Sequence, residues 1–284
     1  MKRLPGFLLA LAAPSLLWSI PMCAQTDVDA KVNGILSRMT LGEKVSMLSG
    51  TGFDSRPVPR LGIPAFHMTD GPVGVRWEQS TAFPASIAMG ATWNPPLIRR
   101  LGEALGVEAR AKGRNMLLGP CININRVPVG GRSFESFGED PFLMARMAVE
   151  YIRGVQSQHV IATAKHYAAN NQEFERTTID EAVDVRTLNE IYFPAFRAAV
   201  QEAGVLSVMS AYNKLNGHWC SENPWLLTDV LKNEWGFRGF VVSDWGAVHS
   251  TVPTANAGLD IEMPHGDFLN DSLLLPAVKR HDVS

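Results

Sequence analysis

The sequence predicts an α/β protein built as a (β/α)8, TIM-like barrel, either whole with one irregular strand or incomplete at its C-terminal end. Three observations carry that expectation. Short apolar, β-branched runs alternate with longer amphipathic stretches, the pattern of repeated βα units around a parallel sheet. Several amphipathic stretches open with proline in a first-turn position. Seven strand signals fall within about 260 residues, so one strand is missed, irregular or beyond the end. An open doubly wound sheet competes with this architecture. It should carry a glycine-rich phosphate loop after an early strand, and neither G-x-G-x-x-G nor a Walker sequence occurs.

Taken in order, the chain opens with Lys2 and Arg3, then an almost unbroken apolar run from Leu4 to Ile20, then Met22-Cys23-Ala24. Residues 1–24 read as a secretory signal peptide cleaved near Ala24, which implies export to the periplasm or the outside. A membrane anchor fits less well, because the run is short for a span and holds Pro5 and Pro14. Cys23 keeps a lipoprotein alternative open. From residue 28 to 49 the apolar positions are spaced for two helices joined near Thr40, where Thr40 and Glu43 have capping-box spacing. Strands are expected at 65–68, 87–91, 116–121, 161–164, 205–210, 240–243 and 258–261, and helices at 95–112, 141–158, 185–202 and 224–235. The last residues, from Lys279 to Ser284, resemble a helix start, which points to a gene fragment; an exposed short tail is the plainer reading.

At 284 residues, 46% hydrophobic and 19% charged, the chain is long enough to bury a substantial core. A net charge of -2, with no Lys/Arg run and no basic amphipathic helix, argues against nucleic acid and for a small neutral ligand. Beyond the leader only Cys121 and Cys220 remain, which is no disulfide framework, and their pairing is left open. Neither has the close Cys or His neighbours of a zinc site, so no metal and no cofactor is expected in catalysis.

In a barrel the residues that close each strand converge on one face. The first strand ends in Thr69-Asp70-Gly71-Pro72, with Arg76 just beyond. The third leads through Asn123 and Asn125 to Gly131-Arg132-Ser-Phe-Glu135. The others end in Lys165-His166-Tyr167, in Ser210-Ala-Tyr212-Asn213 and in Ser243-Asp244-Trp245. Each has a plainer reading: Asp244 as a helix cap, Asp70 as a turn residue, Arg132 as a partner of Glu135 or Glu139, His166 as a core histidine. Jointly those readings weaken, because burying so many ionisable groups costs several kcal/mol (about) without mutual pairing or a ligand. The set is complementary to a hexose: charged groups for vicinal hydroxyls, and the Trp245 indole for the apolar face of the ring. Asp244 would then attack the anomeric carbon, kept ionised by Lys165 and Arg132. A Ser-His-Asp hydrolase fits less well, since no G-x-S-x-G elbow is present.

These motifs, together with Asn170-Asn171-Gln172-Glu173 and Met209-Ser-Ala-Tyr212-Asn213, resemble the catalytic domain of family 3 glycoside hydrolases over residues 28–275, and most of all secreted or periplasmic bacterial β-glucosidases. The resemblance implies that Asp244 is the nucleophile of a retaining mechanism. It also implies that Asp70, Arg132, Lys165, His166 and Tyr212 surround the non-reducing sugar, with Arg76 near the same pocket. The implied substrate is a small β-glucoside or oligosaccharide. β-Xylosidase, β-N-acetylhexosaminidase, and a truncated non-catalytic sugar-binding barrel stay open as alternatives. Two departures bear on mechanism. Members of this type continue into an α/β sandwich domain that supplies the acid/base glutamate, and a second branch uses a His on a glycine-rich loop, where this chain has Tyr167-Ala-Ala-Asn-Asn-Gln172. The proton donor is therefore expected to be missing from this chain; Glu173 and Glu175 are substitutes of low promise, since charged residues after a strand are usually solvated or paired. Oligomeric state is not legible.

Overall fold

The computed structural model of the protein describes residues 23–283. The leader expected over residues 1–24 lies outside them save for its last two residues. The chain divides after Met39. In the first unit the described element is the helix Cys23–Leu36. The second starts at Thr40, whose hydroxyl accepts from the Glu43 N–H while the Glu43 carboxylate accepts from the Thr40 N–H, closing the expected capping box on helix Leu41–Ser46.

The centre of the second unit is a parallel sheet of five strands in sequence order: β1 (Met68–Asp70), β2 (Met116–Leu118), β3 (Ile161–Tyr167), β4 (Ser207–Ser210) and β5 (Phe240–Ser243). Alternate residues separate into two cores, as the two-residue period of a strand requires. Met68, Met116, Leu118, Met209 and Val242 pack with Ile261 and Met263 inside the curved sheet. Leu117, Ala162, Ala164, Val208 and Val241 pack outward against the helices. Three of the inner residues lent by the strands are methionines, whose unbranched side chains fill irregular space.

Backbone bonds carry the sheet on past β5 and back to β1. Ile261 bridges Val242 in parallel, Glu262 bridges Ser49, and the hairpin Gly50–Thr51 with Asp54–Ser55 leads to an antiparallel bridge between Asp54 and His67. The Ser55 N–H donates to the Phe66 carbonyl at 3.0 Å and the Met68 N–H to the Phe53 carbonyl at 2.8 Å. Among the described residues the barrel is thus closed, by a bridge where the 258–261 strand was expected and by a short hairpin that no expected strand covered. The 258–261 strand shrinks to that bridge at Ile261, because Gly258 ends helix Val252–Ala257 in a left-handed conformation. The apolar run at 87–91 is not a strand: Ser86–Gly90 is a short helix, with the Phe137 backbone lying close over Gly90.

Helix Pro95–Ala111 is capped by the Asn94 side chain and helix Pro141–Ser157 by Asp140, each accepting from the third residue on. The two helices touch at Gly102 and Gly154, where a Cβ on Gly154 would stand 2.3 Å from the Arg99 carbonyl oxygen. The helix expected at 185–202 runs through Val185–Thr187, Leu188–Tyr192 and Pro194–Gln201, and the one at 224–235 through Trp225–Glu234. Asp271–Lys279 is a helix that ends where the sequence resembled a helix start. Cys121 and Cys220 are buried free thiols. Among the described residues no helix is long and apolar enough to cross a membrane, and no group of three His, Cys, Asp or Glu is placed to hold a metal ion.

Candidate active site

The carboxyl ends of β1 to β5 open into a cavity of about 380 Å³. All eight residues singled out from the sequence line it: Asp70, Arg76, Arg132, Lys165, His166, Tyr212, Asp244 and Trp245. Asp70 closes β1, and the next turn returns Arg76 to it, the Arg76 N–H donating to the Asp70 carbonyl at 2.9 Å. Only glycine serves at position 71, where φ is +134° and a Cβ would lie 1.8 Å from the Gly74 oxygen. Lys165 and His166 come from within β3, and their peptide bond is cis. Arg132 comes from the long loop after β2, Tyr212 from just beyond β4, and Asp244 from the end of β5.

The charges are arranged in chains. Lys165 Nζ donates to Asp70 Oδ1 at 2.7 Å, and Arg76 donates to Asp70 Oδ2 at 3.0 Å and to Glu135 Oε1 at 3.1 Å. Arg132 holds the other Glu135 oxygen through Nε and Nη2 at 2.9 and 2.6 Å. Burial pushes the Asp70 carboxyl up, but Lys165 and Arg76 outweigh it and leave the group below the ordinary carboxylate value. His166 is held well below the usual imidazole value, first by burial and then by the charges of Arg132, Lys165 and Arg176, so its ring is neutral.

Asp244 is different. Its Oδ1 accepts from the Trp245 N–H at 2.8 Å, whereas Oδ2 is buried with no hydrogen-bond partner among the described residues, 3.6 Å from His166 Nε2. The Tyr212 hydroxyl donates to the Trp245 carbonyl at 3.0 Å and stands near enough to the Asp244 carboxyl to help stabilise its charged form. Burial raises the Asp244 carboxyl above its ordinary value, opposed chiefly by the charge of Lys165. A buried carboxylate with one free oxygen beside cations is equipped to bond to an electrophilic carbon.

Several lining residues were not anticipated as part of the pocket. Glu135 appeared only as a partner for Arg132, and it proves to bridge both arginines while 2% exposed. Arg176 lies over the Tyr212 ring at 4.6 Å and pairs with Glu173 at 2.6 Å. Phe53, at the hairpin tip, meets the Trp245 ring with centroids 5.0 Å apart. The Gly-Arg-Ser-Phe-Glu spacing was a usable signal for Glu135, but nothing local marks Arg176 or Phe53. Glu173 is held by Arg176 and by Asn170, and Glu175 is exposed.

The model of the glycosyl hydrolase family 3 N-terminal domain matches residues 30–270. The chain belongs to glycosyl hydrolase family 3. It is 55% identical over 241 residues to a β-glucosidase of Rhizobium radiobacter, covering 82% of this chain and 30% of that protein. To thermostable β-glucosidase B of Acetivibrio thermocellus it is 49% identical, covering 89% and 35% respectively. Among solved structures, β-glucosidase 3B of Thermotoga neapolitana in complex with glucose superposes with a TM-score of 0.84 at 42% identity, over 89% of this chain and 40% of that one. The β-glucosidase of Kluyveromyces marxianus in complex with glucose gives 0.87 at 36% identity, over 89% and 31%. The family 3 chain described here thus spans about a third of the length of these relatives.

Proposed function

We propose that this family 3 chain is the nucleophile-bearing, sugar-binding part of a retaining β-glucosidase that removes terminal non-reducing β-D-glucosyl residues. The observation that carries the reading is the free, buried Oδ2 of Asp244 at the end of β5. In the first step Oδ2 bonds to the anomeric carbon, the bond from that carbon to the leaving oxygen breaks, and its electron pair departs with that oxygen. A glycosyl ester on Asp244 remains. In the second step water attacks the same carbon from the opposite side, the ester bond breaks back to the Asp244 carboxylate, and the water's proton passes to solvent. Two inversions retain the β configuration.

The Lys165–Asp70 pair, Arg76 and Arg132 are assigned to the sugar hydroxyls. Charge-assisted hydrogen bonds of this kind contribute about 1.5–3 kcal/mol each. Trp245 and Phe53 are assigned to the apolar face of the ring. The neutral His166 is assigned to the pocket wall beside Asp244, its Nε2 lone pair taken by Arg132.

None of the described carboxyls of the cavity is set up to protonate a leaving group. Asp70 is held below the ordinary range, Glu135 is gripped by two arginines, and Asp244 is the nucleophile. The chain alone is therefore assigned the chemistry of leaving groups that depart as anions. The run at residues 4–20 supports export as the location. The test is a stopped-flow assay with a dinitrophenyl β-glucoside. One equivalent of phenolate per chain released in a fast phase, and less with the corresponding xyloside or N-acetylglucosaminide, supports the reading. No burst with any of the three overturns it.

A further inference from the structure

Asn123 lies in the loop after β2, is 6% exposed, and touches His166 at three atoms. Its Oδ1 accepts from the His166 backbone N–H at 2.9 Å, and its Nδ2 donates to the His166 carbonyl at 2.8 Å. A backbone N–H only donates and a carbonyl only accepts, so these two bonds leave the carboxamide one orientation. Ring atom Nδ1 stands 3.0 Å from that same Oδ1, an acceptor, and must carry the ring proton. The other side of the ring agrees independently. Arg132 Nη1 lies 3.2 Å from Nε2, and a guanidinium has no lone pair to offer, so Nε2 must be the unprotonated nitrogen.

We propose that Asn123 is a positioning residue of this active site, which locks His166 as the neutral Nδ1–H tautomer so that the imidazole has no proton to place on Asp244 Oδ2. The opposite tautomer would turn an N–H toward an oxygen 3.6 Å away, and its positive end would draw on that oxygen's lone pairs and reduce its nucleophilicity. The locked tautomer turns a lone pair toward it instead, which accounts for Oδ2 being buried without a partner.

The groups facing the ring are Arg132 and Asp244 on the Nε2 side and the buried Cys121 thiol, 4.0 Å from Nδ1. Lys165 and Arg176 add positive charge from β3 and from the loop beyond it. Three cations around one ring keep it neutral, and Asn123 decides which nitrogen holds the proton. The choice of an amide over a carboxylate then has a reason. Aspartate at position 123 would place a negative charge 3.0 Å from Nδ1, favour the imidazolium, and create the Nε2–H that the amide prevents.

The kinetic half of this inference rests on the reading of Asp244 as the nucleophile, and the spectroscopic half does not. The experiment takes the full chain labelled with 15N-histidine and assigns His166 by difference from a His166→Gln sample. Between pH 6 and 8, about the range in which imidazoles normally titrate, Nδ1 is expected to resonate as a protonated ring nitrogen and Nε2 as an unprotonated one. In Asn123→Asp both are expected to be protonated in the lower part of that range. The rate of covalent labelling by an activated 2-fluoro glucoside is followed over the same pH values. The variant should acquire an acid limb displaced upward by roughly one to three pH units, with labelling restored above it. A protonated Nε2 in the unaltered chain overturns the proposal whatever the kinetics. So does a folded Asn123→Asp chain whose pH profile overlays the parent's. Absence of labelling in the parent with the expected tautomer present would refute the nucleophile reading and leave the tautomer lock standing.

Discussion

Lys165 Nζ lies 2.7 Å from Asp70 Oδ1, joining the third strand of the barrel to the end of the first across 95 positions of sequence. The Lys165 side chain is 4% exposed and the Asp70 side chain 28%, so the pair is shielded on the lysine side and open to the cavity on the other. Alanine at either position leaves a charge without its partner where a sugar hydroxyl would sit. Glucose affinity measured by calorimetry should fall by about 1.5–3 kcal/mol, with the circular dichroism spectrum unchanged. Parent-like affinity in both variants would move the sugar pocket elsewhere.

The two aspartates have opposite linkage to pH. The Asp70 carboxyl is depressed in the fold, so it contributes stability that is complete above the ordinary carboxylate pKa and is lost as pH falls through the lowered value. The Asp244 carboxyl is raised, so its favourable contribution belongs to the protonated form and is lost as pH rises through the raised value. At neutral pH the ionised nucleophile is therefore a cost to the fold. Asp244→Asn should raise the melting temperature near pH 7, and the gain should shrink toward zero in acid. A lower melting temperature at neutral pH would show that the carboxylate is better solvated than its burial implies.

Glu135 holds Arg76 and Arg132 together from a position 2% exposed. Glu135→Gln keeps the shape and removes the charge. Breaking a buried pair in this way costs about 3–5 kcal/mol when both partners are enclosed, and about 3 kcal/mol is the better expectation here because Arg76 is half exposed. Urea denaturation measures it, and glucose binding should weaken with it. A loss below 1 kcal/mol (about) would mean that the arginines find other partners.

Much of this arrangement was legible in the chain because strand ends in a barrel are also site positions. Met116–Leu118, Ser207–Ser210 and Phe240–Ser243 are short apolar runs buried on both faces, and the polar residues closing such runs had to meet at the rim. The same reasoning misassigned 87–91, since a five-residue apolar run has no length to separate a strand from a buried helical turn. The closing hairpin Gly50–Ser55 escaped notice because its residues alternate no hydrophobic face. Arg176 and Asn123 reach the site from loops; Asn123 already stood among the residues leading from the third expected strand, but the partners Tyr212 and His166 lie 36 and 43 residues away, so spacing carried no sign of either pairing.

Cellobiose separates the two halves of the reaction. Its leaving group is a sugar alkoxide that must be protonated, and no described carboxyl of the cavity is poised to do so. The chain should bind cellobiose and fail to cleave it at a rate measurable by glucose release. Efficient cleavage would place a proton donor within these 284 residues.

The most direct test of the account is intact-protein mass spectrometry of the full chain after incubation with a 2-fluoro β-glucoside bearing a dinitrophenolate leaving group, followed by peptide mapping. The account predicts one fluoroglucosyl unit per chain, located on Asp244, slow to leave in water, and absent from the Asp244→Asn variant. A folded chain that stays unlabelled, or that carries the sugar on any other residue, would contradict it.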